Sequence, residues 1–183
     1  MKRLLTIFLA SAATLAGAAD LIPAQSEIAF TSKQMGVPVD GRFKKFEAQL
    51  TLDPKKPEAG QVALKIELGS VSMGSAEVEA ELVKPEWFDS KKIGFATFAS
   101  SAIKAAGPGR FTVTGKLNIK NQIREINVPV TLTQAAGVST AVGSFTIKRL
   151  EFKIGDGEWA DPQMVANDVL VKFKLAFKGL APL

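Results

Sequence analysis

A chain of 183 residues with no cysteine, no histidine and no tyrosine lacks much of the usual chemistry of active sites. Disulfides, thiol nucleophiles, zinc sites and histidine-activated nucleophiles are excluded, and the reading assigns no metal and no cofactor. The net charge of +5 falls to +3 without Lys2 and Arg3, and the remaining cations alternate with acids rather than forming a run, so nucleic acid is set aside as a partner.

Lys2 and Arg3, the apolar run Leu4 to Leu15 and the small residues Ala16-Gly17-Ala18 have the form of an export signal, cleaved after Ala18 or Ala19. The run is shorter than the roughly 20 residues that span a bilayer, and no second one follows. The expectation is a signal peptide over 1–19 and a single exported domain over 20–183.

Strands follow. Ile28-Ala-Phe30-Thr-Ser-Lys is the first, and Gly41-Arg-Phe43 leads into another from Phe46 to Leu52, with a bulge expected at Lys44-Lys45 because Phe43 and Phe46 break the period of two. Asp53 to Gly60 is a turn-rich loop and Gln61 to Val71 the next strand. Ser75, followed by Glu77, Glu79 and Glu81, predicts an N-capped helix over 75–83 that Lys84-Pro85 stops, with Val78 and Leu82 on its docking face. Phe95 to Ile103 is extended, and Gly107-Pro-Gly109 turns. In Phe111-Thr-Val113-Thr-Gly115-Lys-Leu117-Asn-Ile119 every odd position is apolar or glycine and every even one polar, so one face is dry and the other wet.

A tight link at Lys120-Asn121-Gln122 joins that strand to one through Ile126, Val128, Val130 and Leu132, where Pro129 argues for an edge or bulge. Val142 to Ile154 shifts phase at Lys148-Arg149. Gly155 to Pro162 is a loop with a short helical turn expected after Pro162, and Val169 to Phe177 is the last strand. One-sided strands must turn their dry faces inward. The fold class is therefore all-β: an antiparallel barrel of roughly eight strands with one helix inserted, a two-sheet sandwich being the alternative.

The interior is either packed solid or a hydrophobic tunnel, and patterning does not separate the two. The candidate ligand-contacting residues are Phe30, Phe46, Phe95, Phe98, Phe111, Val113, Leu117, Phe145, Ile147, Val171 and Phe173 on strands, with Trp87, Phe88 and Trp159 on loops. Arg149 has two readings. It is a solvated arginine at a bulge, or it continues the Phe145, Ile147 register inward and is paired there by Glu151, Glu158 or a lipid headgroup. The acids Glu77, Glu79, Glu81, Glu86 and Asp89 leave a carboxylate-based hydrolase as an alternative, but a solvated helix face accounts for them more simply. Asp156, Glu158, Asp161 and Asp168 only loosely match calcium-loop spacing, and turn chemistry explains them without a metal.

Taken in order, several segments resemble a known family. They are Gly41-Arg-Phe43 with Phe46 and Leu52-Asp53-Pro54, Gly69-Ser-Val71 before the helix, Trp87-Phe88-Asp89, and Phe95-Ala-Thr-Phe98-Ala-Ser100. Further along come Thr114-Gly115-Lys-Leu117-Asn-Ile119 with Val128-Pro129-Val130, Phe145 to Gly155, and Asp168-Val169. Their order is similar to that of the YceI-like proteins over nearly all of the chain after the signal. The resemblance implies a lipocalin-like barrel in the periplasm, non-catalytic, holding an isoprenoid-like, quinone-like or other amphiphilic lipid. For some relatives it also implies a membrane redox partner of the cytochrome b561 type, and the alternative function is a ligand-free accessory protein docking on such a partner. Many members carry an Arg-Asp-x-His-Leu-like run in the helix. Here it reads Glu79-Ala80-Glu81-Leu82, and Gly155-Asp-Gly157-Glu-Trp159-Ala-Asp161 has the look of a subgroup feature. Both segments flank the expected mouth, so no headgroup preference carries over.

Overall fold

The computed structural model describes residues 18–183, so the predicted export signal lies outside the described residues except for Ala18 and Ala19. Eleven strands form one antiparallel sheet: β1 (Asp20–Leu21), β2 (Glu27–Gln34), β3 (Val37–Phe43), β4 (Phe46–Thr51), β5 (Gln61–Glu67), β6 (Val71–Ser72), β7 (Phe95–Gly107), β8 (Arg110–Ile119), β9 (Gln122–Ala135), β10 (Val138–Lys148) and β11 (Asp168–Lys178). Their order is β4-β5-β7-β8-β9-β10-β11-β2-β3-β6, with β1 alongside β11. β1 and β6 are only two residues each, so the barrel of roughly eight strands is built from nine of ordinary length.

The sheet curls around its dry face and closes at one end through the start of the chain. Ala19 N–H donates to Leu50 O on β4 at 2.7 Å, while Asp20 and Leu21 pair with Lys178 and Phe177 on β11. Toward the other end β2 replaces β1 beside β11, and the seam widens into an outer groove bordered by Pro23–Glu27 and β4. The end with Phe177, Leu50 and Leu132 is the floor; the end with Ile147 and Val169 is the mouth.

Alternation carries through as the sequence requires. Phe111, Val113, Gly115, Leu117 and Ile119 of β8 are buried, while their neighbours Thr112, Thr114 and Asn118 are only partly covered. Lys120 and Asn121 both adopt positive φ, 49° and 60°, closing the β8–β9 hairpin in two residues. Pro129 sits on β9 one residue beyond the last β9–β10 rung, Gly143↔Val130, so its missing N–H falls where β9 has become an edge.

Three expectations need correction. No bulge sits at Lys44-Lys45: β3 ends on β2 and β6, the chain crosses the seam, and β4 starts on β5, so the phase change is a jump between sheet positions. Gln61 to Val71 is not one strand, because β5 ends at Glu67 and a 3₁₀ turn over Leu68–Ser70 turns the chain onto β6. At Lys148-Arg149 the strand stops rather than bulges, and a 3₁₀ turn, Arg149–Phe152, ends on Lys153 at φ 55°.

Two helices cover the mouth side. α1 (Ala76–Leu82) begins at Ser75, whose Oγ accepts from Val78 N–H at 3.5 Å, matching the predicted helix. Glu79 reaches back so that its carboxylate accepts from Met73 N–H at 2.8 Å, Gly74 N–H at 3.2 Å and Ser72 Oγ at 3.0 Å. α2 (Ser90–Ile93) follows the Trp87-Phe88-Asp89 turn. The helical turn expected after Pro162 is a single turn in which Met164 and Val165 N–H donate to Asp161 O at 3.2 and 3.1 Å, and a 3₁₀ turn, Gly157–Ala160, precedes it. Among the described residues no helix is long and apolar enough to cross a membrane.

Candidate functional site

The barrel interior is hollow. A lower chamber of about 110 Å³ is walled only by apolar side chains, among them Leu50, Leu64, Phe98, Phe111, Val113, Phe173 and Phe177. An upper chamber of about 330 Å³ lies at the mouth, within the ~300–1,000 Å³ range of small-molecule sites. Ile28, Ile66, Leu117, Phe145 and Val171 line both, so the two chambers adjoin inside the barrel.

Glycine keeps it open. Gly41, Gly115 and Gly143 stand at inward positions where the pattern calls for a side chain, and each is covered by a phenylalanine from the neighbouring strand. A methyl at Gly115 would lie 2.5 Å from the Phe98 ring, and one at Gly143 2.5 Å from that of Phe173; at Gly41 it would overlap the ring of Phe30. The rings lie flat on bare backbone, as aromatics do over sheet glycines, instead of standing into the lumen.

Above them an aromatic collar surrounds the mouth. Phe30 and Phe43 rings are 5.6 Å apart, Phe43 and Phe88 5.7 Å, and Trp87 and Trp159 5.6 Å. Trp87 and Phe88 are positioned by backbone bonds to Lys84 O and Leu82 O at the end of α1. Both tryptophans of the chain therefore line the upper chamber.

Arg149 holds the collar together. Its side chain is 1% exposed, so it is no solvated arginine at a bulge. The inward register was right, and the protein partners of the guanidinium are backbone carbonyls rather than the carboxylates of Glu151 or Glu158. Nε donates to Ala166 O at 3.1 Å, Nη1 to Ile154 O and Gly155 O at 2.8 Å each, and Nη2 to Trp159 O at 2.6 Å and Val165 O at 2.7 Å. A guanidinium has five N–H donors, and all five are used on carbonyls of the loop 153–167. Burial lowers its pKa and nearby Asp156 raises it, yet an arginine stays charged. Gly155, at φ 71°, leaves the space into which the guanidinium and the Trp87 ring pack. Lys120 ties the collar from outside, its Nζ donating to Pro85 O at 2.7 Å and Lys153 O at 2.6 Å; burial is the main cause of its lowered pKa.

Phe30, Trp87, Phe88, Ile147 and Trp159 line the upper chamber, Phe98, Phe111, Val113 and Phe173 the lower, and Leu117, Phe145 and Val171 both. Two candidates fall elsewhere. Phe95 points outward, 43% exposed beneath the Lys65 ammonium at 4.1 Å, because it is three residues from inward Phe98 on one extended strand. Phe46 packs against the core from the seam and borders the outer groove, since β4 begins there at a gap in the wall. Phe43, Leu82, Ile154, Val165 and Val169 line the mouth without having been singled out. Val169 carried the signal, the period-two run of the last strand, whereas Ile154 and Val165 are placed by the Arg149 clasp, which leaves no periodic trace.

Four of the nine acidic candidates have structural partners. Glu79 caps the turn before α1, Glu81 pairs with Lys84, and Asp168 pairs with Lys148 at 2.9 Å. Asp161 accepts from Gln163 N–H at 2.8 Å. Among the described residues no three acidic side chains are grouped to hold a metal ion.

An antiparallel sheet curled around adjoining apolar chambers, with a collared mouth, defines a lipocalin-like barrel. A model of the YceI-like domain matches residues 20–177, and the chain belongs to that family. BcnA of Burkholderia cenocepacia is 41% identical, with a TM-score of 0.84 over 86% of this chain and 99% of that one. A polyisoprenoid-binding domain from Saccharophagus degradans shares the fold at 18% identity and a TM-score of 0.73, over 91% of this chain and 99% of its own. A UPF0312 protein of Ectopseudomonas mendocina is 29% identical over 86 residues, 47% of this chain and 45% of that relative, so the match spans about half the length of either.

Proposed function

We propose that this chain is an exported, non-catalytic carrier that holds an isoprenoid-like or other amphiphilic lipid inside its barrel. The carrying observation is the pair of adjoining chambers, the upper one at an aromatic mouth and the lower one walled by hydrocarbon alone. The lower chamber offers a hydrocarbon tail burial worth roughly 0.8 kcal/mol per methylene and gives a polar group nothing to bond, whereas Ser32, Gln34 and Glu81 at the upper chamber offer polar side chains to a headgroup. The polyisoprenoid-binding domain with the same fold points the same way. The five donors of Arg149 are spent on loop carbonyls, so selection rests on the tail, the aromatic collar and the side chains of Ser32, Gln34 and Glu81 at the upper chamber.

The proposal includes export to the periplasm, supported by the signal-like pattern of residues 1–19. Of its two cleavage points, the one after Ala18 is favoured, because it retains buried Ala19 and its bond to Leu50.

Native mass spectrometry of protein purified gently from a periplasmic fraction tests the proposal. The expected result is a mature chain starting at Ala19 that carries a lipid mass. An unliganded chain, together with no change in tryptophan fluorescence on titration with an isoprenoid quinone, would refute the carrier reading.

A further inference from the structure

The β2–β3 hairpin turns on Met35 and Gly36, both at positive φ, 46° and 82°. A two-residue turn of this hand suits the twist of a hairpin and favours asparagine or glycine at its first position. Methionine there is conformationally disfavoured, and at 80% exposure no packing compensates for it. The positive-φ pairs closing the β8–β9 and β9–β10 hairpins are Lys120-Asn121 and Ala136-Gly137, and neither presents a large apolar side chain. A local choice that works against folding and gains no contact marks a functional position.

Met35 has apolar company. Val37 is 62% exposed and Met164 46%. Met35 N–H donates to Met164 O at 2.8 Å, Gln34 bridges to Val165, and Ala166 N–H donates to Lys33 O at 2.9 Å, so the hairpin tip and loop form one platform. Arg149 supports it from behind through the carbonyls of Val165 and Ala166. Ser32, Gln34 and Val165 line the upper chamber, which puts the platform beside the mouth. Residues 32–39 and 162–167 carry one cation, Lys33, and no carboxylate, so the tip itself is apolar, with Asp40 and Asp161 at its borders and Asp168 paired with Lys148.

We infer that Met35, Val37 and Met164 form a membrane-docking tip that sets the cavity mouth against a lipid bilayer. The inference rests on the carrier reading, because a lipid drawn through water loses about fourfold in rate for each methylene exposed, which contact with the bilayer avoids. A protein partner is the weaker occupant: the two segments hold none of the tryptophan, tyrosine or arginine that dominate protein interfaces. Flexible methionine and small valine suit a fluid surface.

Flotation with protein-free vesicles of mixed phosphatidylethanolamine and phosphatidylglycerol tests this. The parent should float. Met35→Asn, which the turn prefers, should melt no lower than the parent yet lose about tenfold in vesicle affinity, and adding Met164→Ser should deepen the loss. Ala136→Asn, at the matching turn at the floor end, should float like the parent. The inference falls if the parent ignores vesicles, if the double variant floats equally well, or if the tip instead drives self-association or needs membrane proteins for binding. The two readings separate in a fluorescence titration with an isoprenoid quinone. A parent that takes up quinone but does not float loses the docking tip alone, whereas one that floats but takes up none loses the carrier reading and keeps the tip.

Discussion

Replacing Arg149 with lysine tests whether this side chain is a clasp. The substitution keeps the charge and most of the stem, but the ammonium has three donors where the guanidinium uses five. At least two buried carbonyls among Ile154, Gly155, Trp159, Val165 and Ala166 then go unpaired. At about 1–3 kcal/mol each, the shortfall is about 2–6 kcal/mol, against a typical total stability of about 5–15 kcal/mol. Opening of loop 153–167 limits the loss, because the carbonyls regain water once the loop lifts. The variant should therefore unfold at clearly lower urea concentration. The amides of Gly155, bonded to Glu86 O, and Ala166, bonded to Lys33 O, should exchange much faster than in the parent. A lysine variant within about 0.5 kcal/mol of the parent, the range of ordinary surface substitutions, would refute the clasp. Undiminished stability with weakened quinone binding would restore the headgroup role.

Gly41→Ala should push the Phe30 ring off the wall into the mouth. Overpacking of about 1–3 kcal/mol, partly offset by a stiffer unfolded chain, makes the stability change small, but quinone affinity by fluorescence should drop several-fold, and an unchanged affinity would show that the ring does not rest on the glycine. Glu79 is held below the ordinary carboxylate pKa, chiefly by Met73 N–H and then by Ser72. A lowered folded pKa means that its contribution is present above the ordinary value and is lost as pH falls through the folded one, so Glu79→Gln should flatten the acid side of a melting-temperature-versus-pH curve. Val113→Asp places an unpaired carboxylate in the lower chamber and should cost about 3–5 kcal/mol in urea unfolding; a parent-like midpoint would mean that β8 faces the other way.

The wall of the site was legible because its rule is local. Alternation alone placed Phe111, Val113 and Leu117 inward, and the pair Lys120-Asn121 announced its own turn. Phe95 and Phe98 show where that rule needs help: three residues apart on one strand, both cannot face in, and composition does not choose between them. The seam was not legible either, since the jump from β3 to β4 looks in sequence like any break in period. Arg149 was least readable. Of its two readings the inward register held, but its partners are backbone carbonyls, and every residue has one.

Gly41, Gly115 and Gly143 give the barrel a capacity set by subtraction. The nine strands and their hydrogen bonds fix the circumference, so the lumen grows or shrinks only through what fills its inner face. Each glycine is one side chain withheld, and restoring any of them would narrow the lumen at its own height: Gly41 and Phe30 toward the mouth, Gly115 and Gly143 with Phe98 and Phe173 further down. Girth at the mouth can thus change by one substitution at Gly41, where only the Phe30 ring must move, whereas a Cβ at Gly115 or Gly143 would also meet a backbone carbonyl, Ala99 O at 2.5 Å or Pro129 O at 2.6 Å, and the strands themselves would have to shift.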